Sequence, residues 1–249
     1  MNFLNNLYMY IRMNIFKAIY FRLKKNKIKL SNLTNKIEMR DKKKKLNYKK
    51  VKIIVDGKNN LIIFFSNLKL RNLKINIEGN NNSLILYSNL RLGDIEINIK
   101  GNNNTFEIKE DTFIQKSRTV IQGNKNLVTL GKSNEINGLT IWCFENKGII
   151  KLGNNCLLSY DIEIRNTDSH PIYDIKIGNR LNKSEDVIVK DKVWIGSGVR
   201  ILKGVIIEEG NIIGQRAIVT KSIIEKNSII VGNNKIIKNN VRWEKEFEK

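Results

Sequence analysis

The chain has 249 residues, 41% apolar and only 8% aromatic, with 16 glycines and a single proline. That is enough for one or two domains around an aliphatic core, and it excludes a Gly/Pro-rich disordered chain. The net charge of +21 is uneven: residues 1–50 hold 15 Lys/Arg against Glu38 and Asp41, a net +13, leaving +8 on the rest. Such an arm attracts any polyanion, whether nucleic acid, anionic lipid or acidic glycan, and charge alone does not choose among them.

The first residues are apolar (Phe3, Leu4, Leu7, Tyr8, Tyr10, Ile11), but Arg12 and Lys17 interrupt them short of the ~20 residues that span a bilayer. No cleavable signal is expected. Residues 3–21, followed by Arg22, Lys24, Lys25 and Lys27, read as a short basic helix. It either touches a membrane surface peripherally through residues 1–27 or packs on the body or a neighbouring subunit. Residues 1–50 as a whole are assigned to a basic arm. No aromatic-interleaved recognition motif accompanies the charge in 22–50, so nucleic-acid binding is a weak reading.

From residue 51 a repeat takes over. Gly-Lys-Asn-Asn at Gly57 recurs as Gly-Asn-Asn-Asn at Gly79 and Gly101 and as Gly-Asn-Lys-Asn at Gly123, each 22 residues on, with a degraded copy at Glu145-Asn146-Lys147-Gly148. Within the unit from Gly79, Leu84 and Leu86 alternate, then Leu90 and Leu92, then Ile95, Ile97 and Ile99. Alternation over short runs means strands with one face inward. Three such strands and three turns at a fixed period describe one coil of a triangular solenoid. Residues 51–151 are assigned to these coils, whose Asn/Gly corners tolerate left-handed backbone angles.

The spacing then becomes six. One file reads Leu152, Leu158, Ile164, then Val189, Ile195, Ile201, Ile207, Ile213 and Val219; a second reads Val187, Val193, Val199, Val205, Asn211, Ala217 and Ile223. Six residues make one prism face and eighteen a coil. Asn211 belongs either to an asparagine stack or to a turn. Val231 and Ile237 are expected to resume the inward file. Residues 152–240 form this part, interrupted by a loop at 173–187, and 241–249 form a tail. The predicted fold is therefore all-β, a left-handed parallel β-helix with a short α-helical, basic N-terminal extension. No helical period of the kind a TIM barrel or Rossmann domain needs is present.

The stretches Val193-Trp194-Ile195-Gly196, Ile201-Leu202-Lys203-Gly204-Val205, Ile213-Gly214 and Val219-Thr220-Lys221 closely resemble the bacterial hexapeptide-repeat acetyltransferases. Thr167-Asp168-Ser169-His170-Pro171-Ile172-Tyr173-Asp174 resembles the catalytic segment of the capsular polysaccharide O-acetyltransferases, including those acting on polysialic acid; the 24 residues from His170 to Trp194 are similar too. The specific likeness covers about 150–240. It departs from the family pattern at Ser222-Ile223-Ile224-Glu225 and at Val231-Gly232-Asn233-Asn234, where a Pro-rich segment and an Ala-Gly-Asn-Pro-type turn are usual. The geometry of the last coil is therefore open.

The resemblance implies an acetyl-CoA-dependent O-acetyltransferase, a homotrimer with sites between subunits, acting on a sugar of a capsular, acidic polysaccharide; two cysteines without a disulfide framework fit a reducing cytoplasm. His170, the only histidine, stands where it places the general base. Imidazole titrates near neutrality and suits proton removal from a hydroxyl. Pro171 restricts His170 to extended angles, and Asp168 or a backbone carbonyl is expected to bond the second ring nitrogen. Trp194 would flank the thioester or acceptor, or lie at a subunit interface. Tyr173, Gly196, Lys203, Gly214, Lys221 and Lys238 are candidate CoA contacts; Tyr173, Arg180 and Lys183 are candidate acceptor contacts. No metal is expected: a carbonic-anhydrase-type zinc site on this solenoid needs three histidines. Cys143 and Cys156 have no metal-type spacing and read as core thiols. Two alternatives stay open, N-acetylation of a nucleotide-linked amino sugar and a non-catalytic glycan-binding solenoid.

Overall fold

The computed structural model describes residues 27–40 and 46–246. The helix expected over 3–21 lies outside the described residues. Within them, all regular secondary structure is β. The chain winds as a left-handed parallel β-helix of about eight turns.

Each coil contributes a strand to each of three faces. Face one stacks Lys36–Met39, Leu61–Phe64, Ser83–Leu86, Thr105–Ile108, Leu127–Leu130, Ile149–Leu152, Val187–Val189 and Ile206–Ile207. Face two carries Asn47–Lys49, Lys69–Arg71, Glu135–Ile136, Leu157–Leu158, Trp194–Ile195 and Ile212–Ile213; face three carries Lys52–Asp56, Leu73–Glu78, Leu139–Phe144, Ile162–Arg165, Arg200–Ile201 and Ile218–Val219. Arg91–Lys100 and Phe113–Gln122 each run through faces two and three. Inward positions stack: Leu84, Phe106, Val128, Ile150 and Val187 form one column at 1% exposure or less. Each such aliphatic contributes about 1.5–3 kcal/mol over its exposed state. Both six-residue files read from the sequence lie in this core.

The corners explain the Gly-x-Asn-Asn repeat. Gly57, Gly79, Gly101 and Gly123 have φ of 117–124°, and a Cβ on each would lie 1.8–2.0 Å from the carbonyl oxygen of the next coil. Only glycine fits. Three residues on, Asn60, Asn82 and Asn104 point inward as a ladder. Their Nδ2 atoms donate to the Gly79, Gly101 and Gly123 carbonyls at 2.8 Å, and their Oδ1 atoms accept the backbone N–H of the next asparagine at 2.9 Å. Buried turn backbone is thereby satisfied without water.

The solenoid begins earlier than the repeat suggested. Lys27–Leu30 pairs with Lys52–Val55 and Lys36–Met39 with Leu61–Phe64, and Asn35 already occupies the ladder. This coil, assigned to the arm from its lysines, has a 25-residue step and no Gly-x-Asn-Asn signature. Asn211 proves to be a ladder residue: buried, it donates to the Glu208 and Glu225 carbonyls and accepts from Ser228 N. The last step, Ile212 to Ile229, is 17 residues, not 18. One residue fewer moves the inward position. Ile230 is buried in place of the expected Val231, and Ile237 is 54% exposed. Val231–Gly232–Asn233–Asn234 forms the turn of an antiparallel hairpin, Ile229–Val231 with Lys235–Lys238, that closes the end of the solenoid.

Candidate active site

The coil containing Ile162–Arg165 does not return directly. Leu157 pairs with Trp194, 37 residues on, whereas Trp194 pairs with Ile212, 18 on. The excess is an excursion from the corner between faces three and one, spanning 166–186 between Ile162–Arg165 and Val187–Val189. It contains the loop expected at 173–187 except Val187, which opens the next strand and is buried.

Asparagines anchor its root. Asn166 is buried; its amide exchanges bonds with Phe144 N and O, and its carbonyl accepts from Glu185 N. Asn166 Nδ2 fills the space beside Gly148, 2.3 Å from where a Cβ there would stand. Beyond the root, Tyr173 and Arg180 form an antiparallel bridge, closed by an Asp174–Gly178 turn in which Asp174 accepts from Lys176 N and Ile177 N. This arm exposes Ile172, Tyr173, Ile175, Ile177 and Leu181, Ile175 completely.

His170 lies on the root-to-arm segment and is exposed. Ser169 before it is left-handed (φ 70°), and His170 N donates to the Asp168 carbonyl at 2.9 Å. Asn182, only 7% exposed, grips the segment: Nδ2 donates to the His170 carbonyl at 2.8 Å and to Asp168 Oδ2 at 3.0 Å, while Oδ1 accepts from Ile172 N at 2.6 Å. Asp168 also pairs with Lys203 Nζ at 2.7 Å, and Lys203 donates to the Lys183 carbonyl at 3.2 Å. The Lys203 ammonium, aided by Asn182, holds the Asp168 carboxyl below the usual aspartate range. The carboxylate expected beside the imidazole thus faces Lys203 and Asn182. Among the described residues, the His170 ring has no hydrogen-bond partner within its own chain.

Arg180 pairs with Glu145 and also donates to the Asn182 carbonyl. Partial burial opposes ionisation of Glu145, but bonds from Arg180 and Ser184 outweigh it and keep the carboxyl below the usual range. Glu145 occupies the corner place of Gly57–Gly123 and keeps a left-handed φ of 71°. Strand pairing beneath its strand stops at Trp142–Arg165. The glycine column therefore ends where the chain departs, and a side chain appears there that reaches the excursion.

The structure gathers His170, Asp168, Tyr173, Arg180, Lys183 and Lys203 at or above one corner, with Lys221 exposed on the same corner one coil on. It does not bring Trp194 to them. Trp194 lies on face two, opposite that corner, at 38% exposure, as do Gly196 and Gly214. Close coil stacking alone explains these glycines: a Cβ on Gly196 would lie 2.8 Å from Gln215 N, and one on Gly214 2.9 Å from a Val231 methyl. Lys238 is exposed on the closing hairpin. Cys143 and Cys156 are fully buried, and burial pushes both thiols up to about 12, so neither is a nucleophile near neutrality.

Three further residues escaped the sequence reading. Asn182 and Glu145 hold the excursion. Trp243, in the tail, lies against Trp194 (ring centroids 6.2 Å apart) and donates from Nε1 to the Lys192 carbonyl at 2.8 Å. Only the interrupted glycine column marked Glu145; nothing marked Asn182 or Trp243.

Eighteen-residue coils with aliphatic files, carrying one stapled excursion with an exposed histidine, define a hexapeptide-repeat β-helix of the acyltransferase type. The solved polysialic acid O-acetyltransferase OatWY is 32% identical, with a TM-score of 0.63, covering 78% of this chain and 92% of its own. The chain belongs to the polysialic acid O-acetyltransferase family. The polySia-specific acetyltransferase NeuO gives the same TM-score at 25% identity, covering 90% of this chain and 88% of that one. Among curated proteins, the polysialic acid O-acetyltransferase of Neisseria meningitidis is 51% identical over 57 residues, and that of Escherichia coli O1:K1 / APEC is 37% identical over 54. These matches take in 23% and 22% of the chain and only 26% and 18% of the two relatives' own length. No family profile matches the chain.

Proposed function

We propose that the chain is an acetyl-CoA-dependent O-acetyltransferase acting on a sugar hydroxyl of an acidic capsular polysaccharide, with His170 as general base. The observation that carries this reading is His170 itself: the sole histidine, exposed on the one excursion and held by Asn182, in a chain 32% identical to a polysialic acid O-acetyltransferase over 92% of that protein.

Acetyl-CoA supplies the acetyl group as an activated thioester. His170 takes the proton of the acceptor hydroxyl as its oxygen bonds to the acetyl carbonyl carbon. A backbone N–H stabilises the resulting oxyanion. The C–S bond then breaks, and the imidazolium returns its proton to the leaving thiolate. Lys203 and Lys221, on successive coils of one corner, would lie towards the CoA phosphates, with Lys238 further along. Tyr173, Arg180 and Lys183 on the arm would meet the acceptor.

Trp194, Gly196 and Gly214 lie on the face opposite the excursion. Their part in the site therefore requires a second copy, whose Trp194 flanks the thioester beside the first copy's His170. A homotrimer with sites between subunits satisfies this, and the exposed apolar arm Ile172–Leu181 would be covered by the neighbour. A cytoplasmic location, with peripheral membrane contact through residues 1–27, belongs to the same reading.

The test is transfer of labelled acetyl from acetyl-CoA to a panel of bacterial polysaccharides that includes polysialic acid. His170→Ala should abolish transfer and leave the far-UV spectrum unchanged. Undiminished turnover in that variant removes the assignment.

A further inference from the structure

Charged side chains stack coil upon coil on the outer faces of this solenoid. In part of the outward surface signs alternate or amides intervene: Glu78 pairs with Lys100, Lys74 stacks on Glu96 and Glu96 on Arg118, and Asn72 donates to Asp94. Like charges also stack, on face three at Lys52 on Lys74 and Asp56 on Glu78, and most densely at one site. On face two of the early coils, Lys49 is registered on Arg71 and Lys69 on Arg91, two columns of stacked cations side by side. Successive coils are about 4.8 Å apart, and directly opposed like charges destabilise a sheet. Among the described residues, none of the four is in an ion pair.

These cations line a shallow open groove of about 430 Å³. Its floor has no side chain at Gly93, where a Cβ would strike the Gln115 carbonyl at 2.2 Å. One wall is Phe113, over which the Arg91 guanidinium lies at 5.1 Å, and amides stand at Asn47 and Gln115. Glu135 on this face is registered on Phe113 and is paired with Lys245 at 3.8 Å. The groove is on a different face from the excursion and several coils away from it.

We propose that this groove is a second binding site for the acidic polysaccharide acceptor, remote from His170, which holds the polymer while another of its residues is acetylated. The proposal rests on the acceptor class inferred above. Repeating cations at coil spacing match a ligand with repeated negative charge. The half-buried ring of Phe113 and the Asn47 and Gln115 amides suit the apolar faces and hydroxyls of sugars. The array faces outward, so neutralising it leaves the core intact.

The test is binding of fluorescently labelled long-chain polysialic acid, followed by anisotropy over a range of salt, in the full-length protein carrying His170→Ala to stop turnover. Adding Lys69→Gln, Arg71→Gln and Arg91→Gln should weaken binding roughly tenfold or more at low salt and lower the slope of log K against log salt by about 1 to 2. The equal-charge control Lys132→Gln, Lys151→Gln, Lys190→Gln, on another face, should bind within about twofold of the parent, the effect expected of a solvated charge outside the site. Unchanged binding in the groove variant, or an equal loss in the control, overturns the groove. Equally tight single-stranded DNA binding, lost in the same variant, overturns the glycan assignment. If polymer binding depends on the groove but wild-type protein transfers no acetyl to it, the groove stands and the acetyltransferase reading fails.

Discussion

Asn182 donates one amide to two acceptors, the His170 carbonyl at 2.8 Å and Asp168 Oδ2 at 3.0 Å, from twelve and fourteen residues away. The side chain that closes the excursion thus sets the backbone of the residue proposed as general base. Asn182→Ala should lower kcat roughly 10- to 100-fold, the scale of a displacement of about 1 Å in a reacting group. KM for acetyl-CoA should move less than kcat, because Asn182 meets Lys203 only through their shared partner Asp168 Oδ2 and makes no bond to Lys221. Steady-state kinetics separate the two; an unchanged kcat would make Asn182 merely structural.

The Lys203–Asp168 pair predicts a pH dependence. The folded Asp168 carboxyl lies below its ordinary value of 3.8. Its stabilisation is therefore present above that value and is lost as pH falls through the lower folded value. Amide protection factors across residues 168–184 should fall in that acid window before the coils melt. Asp168→Asn should remove this step, and Lys203→Met should loosen the loop at neutral pH.

Glu145 holds a left-handed backbone that costs a non-glycine residue about 1–2 kcal/mol. Glu145→Gly relieves that cost but cuts the bond to Arg180. Thermal unfolding should stay within a few degrees of wild type, while hydrogen exchange in the excursion rises and kcat falls. A variant with lowered Tm and unchanged loop protection would contradict this division of roles.

Trp243 straps the tail across face two. Trp243→Ala removes the Trp194 contact and the bond to the Lys192 carbonyl, worth about 1 kcal/mol. Carboxypeptidase should trim the variant's tail faster, and the tryptophan emission should shift to longer wavelength as Trp194 meets water. An unaltered spectrum would place Trp194 out of reach of the strap.

The asparagine ladder should be costly to break. Asn104 is fully buried and serves Asn126 N, the Gly123 carbonyl and Asn82 Oδ1. Asn104→Ala leaves Asn126 N and the Gly123 carbonyl without these partners, while Asn82 Oδ1 keeps the Asn104 N–H, and should destabilise the protein by about 3 kcal/mol. Asn67→Ala, at an exposed corner with a left-handed φ of 58°, should cost less, about 1 kcal/mol. Denaturant melts of the two variants measure the difference.

The sequence by itself determined the coil. A residue that stacks on its own kind every 22 or 18 positions must be aliphatic inside and Gly or Asn at the corner, so periodicity carried the faces, the core and the place where the winding breaks at His170. Where the period slipped, as in the 25-residue first coil and the 17-residue last step, register was misread, because a side chain's direction follows from counting along the strand. Only the tertiary structure decided the contacts made across the period. Asn182 reaches back to His170, Arg180 to Glu145, Lys203 to Asp168, and Trp243 folds 49 residues back onto Trp194. Each is a single pairing between segments brought together by the winding, with no repeating pattern to announce it.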